Sequence, residues 1–83
     1  MRVQDAYALV EKLKPECKLL ECLEFDDFYA FFMVPRSYLD DGVAGSYYTV
    51  NKKTGLLGMF NPTENLSLYM SGEVIEVEAV INK

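Results

Sequence analysis

The chain has no histidine. That removes the usual general base near neutral pH, the base of most nucleophile–base pairs and the commonest metal ligand. Neither catalysis nor a cofactor or metal is expected. Cysteine is scarce, with only Cys17 and Cys22. On a regular strand, five residues would set them about 16 Å apart on opposite faces, whereas a disulfide needs Cα atoms within about 7 Å. Two free, buried thiols in a reducing cytosol are the expectation, and no histidine or third cysteine completes a metal site. Positive charge is also sparse. Eight Lys and Arg are scattered against thirteen Asp and Glu, for a net charge of −5. No basic patch is available to neutralise phosphates, so nucleic acid is not an expected partner. Long apolar runs are missing too. The longest, residues 28 to 34, is far too short to cross a bilayer. The amino terminus runs into an amphipathic pattern rather than a signal-peptide apolar core. A cytoplasmic protein with no membrane association is expected, and no repeat, linker or low-complexity tract interrupts it.

What the chain does contain is apolar and aromatic side chains, 51% and 13% of its 83 residues. A 9.5 kDa chain makes one small domain, residues 1–83. By size scaling it should expose roughly 5,000 Å² folded against about 14,000 Å² unfolded. So rich a composition in so small a domain suggests a full core with apolar surface left over for a partner, or for a second copy in a homodimer.

Local patterns predict the elements. Val3, Ala6, Leu9, Val10 and Leu13 recur at helical spacing, and Pro15 stops that helix at residue 14. Residues 17 to 25 read as a strand with Cys17, Leu19, Leu23 and Phe25 on the helix-covered face, interrupted by Glu21, and with Lys18, Leu20, Cys22 and Glu24 opposite. Asp26 and Asp27 form a tight polar hairpin. Residues 28 to 34 are apolar on both faces, which marks a central strand whose second face needs its own cover. A long irregular segment, residues 35 to 45, follows. Then come two strands joined by a turn from Asn51 to Gly55, where glycine supplies the positive φ. Asn61, Pro62 and Glu64 have the chemistry of a helix start, and the helix should run to Gly72. Alternation of Ile75, Val77, Ala79 and Ile81 predicts a terminal strand. The fold class is α+β: an N-terminal helix on an antiparallel four- to five-stranded sheet, with a short second helix near residues 62–71.

Candidate sites are few. Asp40, Asp41 and Gly42 lack the alternating ligands and closing glutamate of a calcium loop and read as a solvated turn. Asp26 and Asp27 diverge as neighbours in a hairpin and do not form a catalytic carboxylate pair. Lys52, Lys53, Thr54 and Gly55 lack the following helix of a phosphate loop. Tyr47 and Tyr48, being consecutive in a strand, face opposite sides, so one is expected outside. Tyr38 lies in the long loop beside Asp40 and Asp41, and exposed tyrosine with acidic neighbours is what protein interfaces favour. Tyr38, Asp40, Asp41, Tyr47, Asp26 and Asp27 are therefore the candidate interface. Packing of the tyrosine rings on the core, hydroxyls in water, is the alternative.

The order helix, strand, strand, loop, strand, lysine-threonine-glycine turn, strand resembles two groups of small domains over residues 5 to 60. The run Val50-Asn51-Lys52-Lys53-Thr54-Gly55-Leu56-Leu57 is similar to the closing hairpin of PepSY-like domains. Residues 28 to 34 followed by 47 to 58 resemble the YrhB-like immunity proteins of bacterial toxin systems, small acidic cytoplasmic domains. The chain departs from the first in having no signal segment and from the second in having no tryptophan in its aromatic strand. The resemblance implies no catalytic residues. It implies a non-catalytic acidic interaction module, immunity- or inhibitor-like, that binds a basic surface of a toxin or other effector. A homo-oligomeric accessory protein encoded by phage or prophage, packing its Phe28 strand on its own copy, is the alternative.

Overall fold

The computed structural model describes residues 1–36 and 45–81. Tyr38, Asp40 and Asp41 lie outside these residues. An N-terminal helix, α1 (Val3–Leu13), precedes four strands: β1 (Cys17–Glu24), β2 (Phe28–Pro35), β3 (Ser46–Asn51) and β4 (Leu57–Phe60). Helix α2 (Leu66–Ser71), strand β5 (Glu73–Ile75) and helix α3 (Val77–Ile81) complete the described residues. The five strands form one antiparallel sheet in the order β4-β3-β2-β1-β5, with the doubly apolar β2 in the centre.

Helices α1 and α3 share one face of the sheet, tied by Gln4 Nε2 donating to the Ala79 carbonyl at 3.0 Å. Beneath them Ala6, Tyr7, Val10, Leu19, Cys22, Phe31, Met33, Val50 and Val80 form the larger core. Leu9 and Leu13, expected on the buried stripe of α1, are instead largely exposed, and Tyr7 fills that place. The opposite face gathers Leu23, Phe25 and Ala30 with Phe28, Tyr47, Phe60 and Tyr69. Tyr69 comes from α2, so this short helix supplies part of the cover that β2 requires on its second side.

A β-bulge separates the observed β1 from the expected one. Leu19 opposes Met33, but the next pair is Glu21 with Phe32, which leaves Leu20 as an extra residue. One inserted residue reverses the alternation beyond it. Cys22 consequently joins Leu19 and Cys17 on the helix face, while Leu23 and Phe25 turn to the other. The two cysteines, expected on opposite faces, share one, and both are free.

The β3–β4 turn forms as expected. Gly55 has φ +74°, and Asn51 Oδ1 accepts from the amides of Lys53 at 2.8 Å and Thr54 at 2.9 Å. Asn61 likewise accepts from the Thr63 and Glu64 amides at 2.9 and 3.4 Å. That cap serves a turn over residues 62–65, and the α-helix begins only at Leu66. The expected strand over 73–81 is a correction of substance. Only Glu73–Ile75 pairs, with β1, and Val77–Ile81 is helical. Val77, Val80 and Ile81 fit helical spacing as well as Val77, Ala79 and Ile81 fit a strand. Burial of Val80 under α1 selects the helix.

Candidate interaction site

The tip of the β1–β2 hairpin carries the site. Phe25 N–H donates to the Phe28 carbonyl at 2.9 Å, closing a two-residue loop of Asp26 and Asp27. The two phenylalanine rings stack at 4.6 Å with an interplanar angle of 21°, and both aspartates are exposed. The neighbouring β3–β4 turn holds this tip, since Lys52 N–H donates to the Asp27 carbonyl at 2.9 Å.

Beside the stacked rings lies an open cleft of about 460 Å³. Its rim carries four carboxylates, Glu24, Asp26, Asp27 and Glu73, and Leu68 and Ser71 of α2 close the far wall. Lys52 is its one cation among the described residues, and it is already engaged. Its Nζ lies 2.8 Å from Glu24 Oε2 and 4.9 Å from the centre of the Tyr29 ring. Hydrogen bonding to Glu24 raises the Lys52 pKa, opposed by slight desolvation and aided by Glu24, Tyr29 and Asp26 charge. Glu24 and Glu73 are directly opposed across β1 and β5. Like charges so placed destabilise a sheet, and Lys52 offsets only the Glu24 side. The arrangement suits a cationic side chain from elsewhere, with carboxylates at the rim and the Phe25 and Phe28 rings in the lining. No group of three or more Cys, Asp or Glu side chains that could hold a metal ion occurs among the described residues.

Tyr47 is placed differently from the expectation of an exposed ring. Both Tyr47 and Tyr48 are half-buried, one on each face of β3. Tyr47 stacks on Phe32 at 4.7 Å, and its hydroxyl donates to Glu21 Oε1 at 2.8 Å. The Tyr69 hydroxyl donates to the same oxygen at 3.4 Å. Burial, followed by these hydrogen bonds, pushes the Tyr47 phenol well above its ordinary range. The trio pins α2 across the second face rather than presenting a ring to solvent. A second open cleft, about 600 Å³, lies by Phe32, Tyr47, Phe60 and the 61–65 turn, with Glu64 as its carboxylate among the described residues.

Cys22 is fully buried, and desolvation followed by the charges of Glu24 and Glu21 pushes its thiol up to about 12. At neutral pH it carries no thiolate with which to react.

Asp26 and Asp27 were legible as a tip. Glu73, Leu68 and Ser71 were not, because only the pairing of β5 with β1 brings the chain's far end there. No protein-family model matches the chain, and neither a curated protein nor a solved structure matches it. No helix among the described residues is long and apolar enough to cross a membrane.

Proposed function

We propose that this chain is a non-catalytic cytoplasmic interaction module whose β1–β2 tip takes a basic surface of a protein partner, in the manner of an immunity or inhibitor protein that occludes a toxin or other effector. The observation that carries the reading is the set of four carboxylates around one cleft. Among them Glu24 and Glu73 are directly opposed across β1 and β5, and Lys52 is the one lysine that answers them among the described residues. A net charge of −5 extends the same field over the molecule and speeds encounter with a cationic partner. The resemblance to small acidic immunity proteins over residues 5 to 60 points the same way.

The test is affinity capture from the native cell with the wild type and with Asp26→Lys/Asp27→Lys. One stoichiometric partner, weakened by salt and lost with the reversed charges, supports the proposal. A partner that binds the variant equally well refutes it, as does recovery of the chain alone.

A further inference from the structure

Strand β4 ends the sheet on the side away from β5, and its outer edge is unpaired among the described residues. Asn51 N–H donates to the Leu56 carbonyl at 2.9 Å, which sets the phase of the ladder. By the alternation of antiparallel pairing, Gly58 and Phe60 direct their backbone groups to β3, while Leu57 and Met59 direct theirs outwards. Proteins ordinarily guard such an edge with lysine, proline or a bulge. Strand β4 itself carries none of these, Pro62 lying two residues past its end, and residues 55 to 63 hold no charge in a chain where 25% of residues are charged.

The side chains around the edge are apolar and uncovered. Leu56 is 70% exposed, Met59 69% and Leu57 42%. Met1, Leu9 and Leu13 of the α1 side continue the patch, since Met1 and Leu9 reach the β3–β4 turn at Gly55. Together these residues expose on the order of 600 Å². That is about three-quarters of the ~800 Å² per partner that a stable interface takes.

We infer that this edge pairs with β4 of a second copy of the chain, the two strands antiparallel about a twofold axis at Gly58. In that register Leu57 faces Met59 of the other copy, and the outward N–H and C=O groups of both residues exchange hydrogen bonds. Gly58 meets Gly58 at the axis, where the backbones approach most closely and no side chain intervenes. The same axis carries the Lys53 end of one strand towards the Glu64 end of the other, so the flanking charges are of opposite sign. Two copies at −5 each repel, and the uncharged 55–63 strip is where that repulsion is least. The two five-stranded sheets thereby become one. The inference is independent of the acidic cleft, which lies at the hairpin tip and against α2.

Light scattering after size exclusion, at millimolar protein, should give twice the 9.5 kDa chain mass. Met59→Lys sets an ammonium against an apolar partner strand and should weaken self-association about tenfold or more. Because Met59 is exposed, the variant should keep the far-UV circular dichroism of the wild type. Hydrogen exchange on the wild type gives a second readout: the Leu57 and Met59 amides should be protected in concentrated samples and exchange freely on dilution. A monomer at millimolar concentration overturns the inference. So does a folded Met59→Lys dimer of undiminished affinity, or a dimer in which those two amides stay unprotected.

Discussion

The bulge at Leu20 sends Cys22 into the core, and a measurable dependence of stability on alkaline pH follows. Its thiol lies at about 12 in the fold against an ordinary 9.0. A group whose pKa is raised by folding contributes stability in full below the unfolded value and loses it as pH rises through the folded one. At about 1.4 kcal/mol per tenfold change in proton affinity, the fold gives up about 4 kcal/mol between pH 9 and pH 12 on this account. The perturbation is Cys22→Ala, which removes the titrating group and leaves a small cavity costing ~1–2 kcal/mol at every pH. The wild type should thus be the more stable protein at neutral pH and the less stable at about pH 12, the two curves crossing between. Tyr7 and Tyr47, also raised mainly by burial, titrate in both proteins and cancel in the difference. Urea unfolding followed by far-UV circular dichroism, under reducing conditions at a series of pH values, measures both curves. Parallel curves across that range would refute the placement of Cys22 in a dry site.

Three further outcomes are expected. Gly55→Ala places a Cβ on a backbone at φ +74° and should cost about 1 kcal/mol in the same assay; an unchanged midpoint would contradict the turn. Phe31→Ala empties the centre of the larger core, where Phe31 is wholly buried, and should cost ~3–5 kcal/mol. That is enough to leave so small a domain largely unfolded, so a cooperative thermal transition in the variant would refute it. Tyr47→Phe removes the donor to Glu21 and should cost about 1 kcal/mol, shared with Tyr69 so that Tyr69→Phe adds less than its own loss in the double variant. Full additivity in that cycle would break the proposed trio.

The parts of the fold readable from sequence were those set by neighbours along the chain. Pro15 stops α1, Asp26 and Asp27 turn a hairpin between two phenylalanines, and Asn51 and Gly55 dictate their own loop. The doubly apolar run from Phe28 announced a central strand. What was not readable depended on distant residues. Leu20 has no marker of a bulge, since Leu19, Cys22 and Leu23 offer an apolar residue to either face. Residues 77 to 81 satisfy both periods, and only Val80 meeting α1 decides between them. Tyr47 draws its burial from Glu21 and Tyr69, and the cleft owes a third of its lining to Glu73 and α2. A site assembled by pairing the two ends of a chain leaves no local pattern.

That assembly also orders events during synthesis. Strands β1 to β4 are consecutive hairpins, each closing on the segment just before it. Short closures cost the least entropy and come first. Strand β5 and helix α3 return from the far end, and the Gln4–Ala79 bond spans 75 residues. A nascent chain released as far as β4 can therefore hold its meander while the acidic cleft still lacks Leu68, Ser71 and Glu73. Completion of the cleft therefore waits on Glu73, and a chain truncated before it would keep four of the five strands and lose one of the four carboxylates.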